Sequence, residues 1–129
     1  MSWQQYVDDQ LIGTKIIDEA CLAGHDGVIW ATSPGLGAQP DQIKTLVQAM
    51  DNSDVVTTNG FSIGDMKYVY LSSIPGKVIR GKAKGQKSGV HVCLTKQAII
   101  VGRYSDPVTG GEAAKVVENL GDYLTGVGY

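Results

Sequence analysis

Long apolar runs are missing from this chain. The longest covers about five residues, around Ala98 to Val101, far short of the roughly 20 that a transmembrane helix needs. No signal-peptide pattern precedes the first polar residues, so a cytoplasmic protein is expected. Cysteine is scarce: Cys21 and Cys93 are the two present, each in a strand-like run. One disulfide is possible on paper; a pair of reduced, buried thiols is the reading a cytosolic chain favours. Catalytic and metal signatures are absent as well. There is no HExxH, no CxxC pair and no P-loop. Gly35-Leu36-Gly37 lacks the third glycine and the strand-to-helix setting of a dinucleotide site. His25 sits at a turn and His91 alternates with Val90 and Val92, which reads as surface or hydrogen-bonded histidines rather than as bases. Asp8-Asp9 is a poor acid–base pair, because adjacent helix positions do not face each other. No nucleophile with a nearby base can be assembled, so neither an enzyme nor a cofactor or metal is expected.

The 129 residues are 43% hydrophobic and 19% charged. That excludes a chain disordered throughout and predicts one domain over residues 1–129, burying roughly two-thirds of its unfolded surface. Seventeen glycines without a fixed period read as turns. Acidic residues are missing from one long stretch. Between Met66 and Ser105 the chain carries eight basic residues and no acidic one: Lys67, Lys77, Arg80, Lys82, Lys84, Lys87, Lys96 and Arg103. The rest holds three basic and 13 acidic side chains, so a net charge of −2 hides a strong asymmetry. It reads either as a one-sided field for an acidic partner or as a solvated β-surface whose lysines blunt edge strands.

The pattern predicts helix, hairpin, helix, antiparallel strands, helix. Ser2 and Gln5 suit a capping box ahead of Trp3, Tyr6, Val7 and Leu11 on one helical face, with Gly13 as the stop. Ile16 to Ala23 and Val28 to Thr32 read as strands joined at His25-Asp26-Gly27. Pro40-Asp41 opens a second helix with Ile43, Leu46, Val47 and Met50 apolar. From Val55 onward the pattern reads as β. Phe61 to Ile63 and Met66 to Leu71 flank Gly64-Asp65, with Tyr68 and Tyr70 on one face and Val69 and Leu71 on the other. Val78-Ile79 runs into a Gly/Lys tip from Gly81 to Gly89. Val90 to Leu94 and Ala98 to Tyr104 follow, then a break at Asp106-Pro107 and Gly110-Gly111. A last helix carries Ala113, Val116, Val117, Leu120, Leu124 and Val127 as a stripe. This is an α+β fold with terminal helices packed on a sheet.

Trp3 and Tyr6 share a face of the first helix, and Tyr123 and Tyr129 lie in and after the last. Helices packed side by side would bring them together near Trp30. Such a platform suits a polyproline II segment, which is already extended and offers carbonyl acceptors. The same residues also suit a helix-to-sheet core.

Three motifs carry a family resemblance. They are Met1-Ser-Trp-Gln-Gln-Tyr-Val-Asp with Leu11-Ile-Gly-Thr, Asp26-Gly27 through Trp30-Ala-Thr-Ser, and Gly110-Gly-Glu-Ala-Ala-Lys-Val-Val-Glu through Gly126-Val-Gly-Tyr129. Together they resemble the profilins over the whole chain, most of all the short profilins of lower eukaryotes. The resemblance implies a central antiparallel sheet with the terminal helices on one face and smaller helices on the other. It implies a non-enzymatic protein of the cytoplasm and cytoskeleton. Such a protein binds monomeric actin, proline-rich partners such as formins, and phosphatidylinositol 4,5-bisphosphate. Carried onto this chain, the proline site is Trp3, Tyr6, Trp30, Tyr123, Leu124 and Tyr129. The actin surface is Lys77, Arg80, Lys82, Lys87, Val108, Gly111, Lys115 and Asn119. Phosphoinositides would use Lys77, Arg80, Lys82, Lys84 and Lys87, each basic group adding about 1 kcal/mol at an anionic leaflet.

The chain departs from the pattern at three places. Arg80 stands for a tyrosine, Ala83 for a second lysine, and Ser72 for an arginine of the preceding strand. An alternative follows: a profilin-fold proline-motif or lipid-binding adaptor with weak or lost actin affinity. A nucleic-acid binder is disfavoured by a pI near 5.5. A monomer is the default.

Overall fold

The central layer is a seven-stranded antiparallel sheet in the order β2-β1-β7-β6-β5-β4-β3, seen in a computed structural model that describes residues 2–129; Met1 lies outside the described residues. The strands are β1 Glu19–Gly24, β2 Ile29–Thr32, β3 Phe61–Ile63, β4 Met66–Ile74, β5 Val78–Ala83, β6 Ser88–Leu94 and β7 Ala98–Ser105. Side chains alternate between two cores. On one face α2 (Pro40–Asp51) and the short α3 (Asp54–Thr57) cover Cys21, Phe61, Tyr68, Ile79, Ile99 and Val101 with Ile43, Leu46 and Met50. On the other, the amino-terminal helical segment and α4 (Gly110–Gly126) bring Val7, Leu11, Val117, Leu120 and Leu124 onto Leu22, Cys93 and Ile100. Truncating a fully buried leucine such as Leu46 or Leu124 to alanine costs about 2–5 kcal/mol. This is the α+β arrangement the pattern implies.

Several boundaries differ from the sequence pattern, each for a local reason. The first helix is capped by the Ser2–Gln5 box, but only Trp3–Gln5 (α1) is α-helical. Tyr6–Leu11 winds on as a π-helix and Ile12–Thr14 tightens to a 3₁₀ turn. Gly13 does not end it; Lys15 does, at φ 63°. The β pattern from Val55 is broken by α3, where Val56 is buried and Val55 exposed. The glycines Gly81 and Gly89 are strand residues rather than tip residues. A Cβ at Gly81 would lie 2.6 Å from Phe61 Cζ, and one at Gly89 would lie 2.5 Å from Tyr104 Cζ, so each makes room for a ring. Val127 falls past the end of α4 and is exposed, so the stripe stops at Leu124.

Cys21 and Cys93 are both buried free thiols in different cores on opposite faces of the sheet, which rules out a disulfide between them in this fold. Burial pushes Cys21 up to about 12, and burial with the nearby Glu118 carboxylate pushes Cys93 up to about 11.

Candidate functional site

Two surfaces gather the candidate residues. The first is aromatic. Trp3 is its hub, with ring centroids 4.7 Å from Trp30, 4.9 Å from Tyr129 and 5.7 Å from Tyr6. Tyr6 in turn lies 6.1 Å from Tyr123. All the pairs are tilted or edge-on, the arrangement ring quadrupoles favour. Tyr123 and Tyr129 remain 53% and 40% exposed, so the cluster is a surface and not only core. The Tyr123 hydroxyl, then burial, raises the Tyr6 phenol above the usual tyrosine value. The Tyr6 hydroxyl therefore stays a neutral donor at neutral pH.

Local devices aim these rings. Between Leu22 and Ala23 the β1–β2 register slips, leaving Trp30 as the extra residue of β2. Such a bulge bends the strand and re-aims a side chain, here onto Trp3. Gly24 leaves space, since a Cβ there would meet the Trp30 indole at 3.3 Å. Tyr129 is held by the β6–β7 turn. Thr95 Oγ1 donates to the Tyr129 carbonyl at 2.6 Å, Gln97 N–H donates to it too, and Gln97 Nε2 donates to the Gly128 carbonyl at 2.7 Å. His25 Nε2 donates to the Thr95 and Ala98 carbonyls at 3.0 and 3.1 Å, which ties the β1–β2 hairpin to the same turn. Because carbonyls only accept, Nε2 carries the proton. Thr95, Gln97 and His25 position the site; sequence reasoning missed all three in that role, reading His25 only as a surface or hydrogen-bonded histidine at a turn. They are ordinary polar residues in a turn, and only the fold brings Tyr129 to them. Leu124 needs a correction. It is fully buried and accepts the Tyr129 N–H at 2.8 Å, so it props the cluster from beneath rather than presenting surface.

The second surface is basic, and it is not one patch. Arg103 points to the α2 face and lines a hollow of about 400 Å³ with Asp65 and Gly64. Lys77 lies at the β4–β5 turn, where its carbonyl accepts from Leu94 N–H, at the same end as Lys96. Lys84 and Lys87 lie at the opposite tip. At about 3.3 Å per residue, Lys77 and Lys84 are about 23 Å apart, beyond the ~8 Å screening length at physiological salt. The cross-strand register Val69↔Lys82 and the Lys84 N–H to Lys67 carbonyl bond gather Lys67, Lys82 and Lys84 at the tip.

Glu118 and Arg80 both act on His91, and Glu118, Asp122 and Lys77 all act on Cys93. Glu118 Oε2 also lies 3.0 Å from the buried His91 Nε2. Burial lowers the His91 pKa, the Glu118 carboxylate opposes this, and Arg80 adds to the lowering.

The departures resolve in part. Ser72 and Arg80 are cross-strand partners, with Arg80 Nη1 donating to Ser72 Oγ at 3.3 Å. A guanidinium lost from position 72 is thus supplied from the next strand at the same rung. Ala83 is 3% exposed in the α2-side core, where a lysine head would have no water. Val69 and Leu71, 51% and 55% exposed beside these residues, are apolar surface that sequence reasoning left out. Leu71 is the extra residue of a β4 bulge. On α4, Gly111, Lys115 and Asn119 are exposed. Asn119 also lines a trough between the terminal helical elements, away from the basic tip. Val108, before α4, is half-buried. Among the described residues no group of metal-ligating side chains converges, and no helix is long and apolar enough to cross a membrane.

Comparison with known proteins gives one consistent answer. The family model described as Profilin matches residues 1–129. A profilin of Drosophila melanogaster is 46% identical over 129 residues, covering all of both chains. The structure of Acanthamoeba castellanii profilin IB is similar at a TM-score of 0.92 and 44% identity, over 99% of this chain and 100% of that one. The fold extends to mouse profilin IIa, solved with a double repeat from the FH1 domain of mDia1, at a TM-score of 0.83 and 24% identity over all of both chains.

Proposed function

The chain belongs to the profilin family, and from that premise we infer that it binds actin monomers, binds proline-rich segments of actin regulators, and so regulates actin polymerisation in the cytoplasm and cytoskeleton. It performs no covalent chemistry in this role. The observation that carries the proline half is the Trp30–Trp3–Tyr6–Tyr123 row with Tyr129 over Trp3. These half-exposed rings offer flat apolar area for pyrrolidine rings. Their indole and phenol groups are donors for the carbonyls of an extended peptide, whose own backbone has no N–H to spend. Trp3, Tyr6, Trp30, Tyr123 and Tyr129 are the contact residues, and Leu124 is their support.

For actin, the proposed surface is the strip of β4–β6 beside α4, with Arg80, Lys82, Lys87, Val108, Gly111, Lys115 and the exposed Val69 and Leu71. Charge sets the encounter rate, and the few apolar contacts set residence time. Phosphoinositide headgroups fit the tip best, where Lys67, Lys82 and Lys84 stand close, rather than the Lys77 end, where Lys77 shares the surroundings of Cys93 with the Glu118 and Asp122 carboxylates. Membrane and actin would then compete for Lys82.

Titration of the protein into monomeric actin, following spontaneous polymerisation at low and moderate salt, tests this. Suppression that weakens with salt is expected. No suppression, from a protein that still binds polyproline, would instead favour an adaptor that has lost actin affinity.

A further inference from the structure

One cation stands where the strand pattern asks for an apolar residue. Along β7 alternate side chains face the α2-side core, and Ile99 and Val101 are fully buried there. The next position on that face is Arg103, half-buried. A guanidinium at the edge of a core needs partners for its donors. Its cross-strand neighbour on β1 is Glu19, which the register offers as a counter-ion. The Glu19 carboxylate is taken by the loop after β2 instead, accepting from Ser33 Oγ and, at 3.0 Å, from the Gly35 N–H. Among the described residues Arg103 makes no ion pair. Neither its buried Nε nor the buried Tyr68 hydroxyl beside it has a hydrogen-bond partner there.

Arg103 lines the hollow of about 400 Å³ between the loop after β2, the β3–β4 turn and the β5–β6 tip. Leu36 and Ile63 give the hollow apolar walls, Gln39 and Gln86 add amides, and Asp65 is its one carboxylate. The walls are held in place. Gln42 Oε1 accepts from the Gly64 N–H at 2.8 Å, and Gln42 Nε2 donates to the Gly64 carbonyl at 3.0 Å. Gly64 has φ 61°, and a Cβ there would strike the Leu36 carbonyl, so glycine is what lets turn and loop close up. A hollow fixed in this way needs little reordering when a ligand enters.

We propose that this hollow binds a small organic monocarboxylate, with Arg103 as the residue that holds the carboxylate. The guanidinium fork matches the two oxygens of a carboxylate. Asp65 discriminates against a doubly charged phosphate, which would meet one cation and one like charge. Leu36 and Ile63 take a short aliphatic body. The hollow lies on the α2 face, across the sheet from the core that carries Trp3 and Tyr6. Its ligand and a proline-rich segment therefore do not compete.

The test is amide NMR of the full chain titrated with sodium propionate, against inorganic phosphate and chloride at matched ionic strength. Propionate should shift the Gly37, Gly64 and Asp65 amides and the Arg103 Nε–H saturably, and bind more tightly than phosphate. Arg103→Leu should weaken propionate binding about tenfold or more, as loss of a charge-assisted pair of hydrogen bonds allows. Arg103→Lys, which keeps the charge and loses the fork, should restore only part of it. Octaproline binding should be unchanged in both variants and in saturating propionate, which also reports that the fold stands. Absence of saturable shifts at those amides overturns the proposal, and so do shifts that persist in Arg103→Leu. Shifts confined to the Lys82, Lys84 and Lys87 amides would mark general attraction to the basic tip and overturn it as well. Phosphate binding as tightly as propionate overturns the choice of a carboxylate.

Discussion

The aromatic end and the basic strip are built by opposite routes. The rings come from residues 3, 6, 30, 123 and 129, scattered over the whole sequence, yet neighbouring centroids lie within 6.1 Å along the row. The basic residues come from one continuous stretch, yet the fold disperses them over two faces and two ends of the sheet. Density in sequence therefore says little about density in space. A strand spends 3.3 Å per residue and alternates its faces, so a charge-rich hairpin spreads its charge. Aromatic side chains at helix ends converge wherever the helices must pack.

The sharpest way to break this comparison is Trp3→Ala. Removing the hub of the cluster should cost about 2 kcal/mol of proline-peptide binding, about thirtyfold, as measured by calorimetry. Actin binding should be spared, with circular dichroism confirming the fold. Loss of both activities in a folded variant would sink the separation of the two surfaces. Next in size is Lys82→Glu with Lys87→Glu at the tip, which should weaken binding to vesicles containing phosphatidylinositol 4,5-bisphosphate by about tenfold or more. Lys77→Glu with Lys96→Glu, at the far end, should change it by less than about threefold, because that end lies about 23 Å from the tip, beyond the screening length. Equal effects of the two pairs would show that the whole stretch acts as one face after all. Proline binding should meanwhile barely respond to salt.

A smaller loss is expected from Thr95→Val. It removes the hydroxyl that holds the Tyr129 carbonyl, a bond worth about 1 kcal/mol, so proline binding should weaken about fivefold. Unchanged affinity would mean Tyr129 is held well enough by Gln97 and Leu124. The mildest effect belongs to His91. Its pKa is lowered on folding, so the unfolded chain binds the extra proton first as pH falls below about 6.5. Thermal stability should therefore decline from pH 7.5 to pH 5.5, and His91→Gln should flatten that decline. A wild-type melting temperature rising toward acid would show that the Glu118 attraction outweighs burial.

Much of the fold was legible because its signals are local. The capping box at Ser2–Gln5, the Asp26-Gly27 turn and the Ile43–Leu46–Met50 stripe each lie within one element and follow from propensity and period. The aromatic partners were legible through helix faces. What was hidden depends on long-range geometry. The bulge at Trp30 is a register slip between two strands, and no residue type announces it. Gly81 and Gly89 look like turn formers until Phe61 and Tyr104 are found over them. Ala83 looked like a lost surface charge and is a core residue, because the β4–β5 register turns it inward. Leu124 was grouped with the rings it supports, since sequence spacing gives a helix face but not which side of that face meets water.

The anchoring of Tyr129 has a consequence in time. Every residue of the α2-side core lies between Cys21 and Val101. A chain emerging from the ribosome at about 5–20 residues per second thus exposes all of that layer before α4 begins. The ring cluster needs both Trp3 and Tyr129, and Tyr129 must reach back to Thr95. Proline recognition therefore matures later in synthesis than the α2-side layer. A nascent chain could complete its α2-side layer while still unable to hold a proline-rich partner.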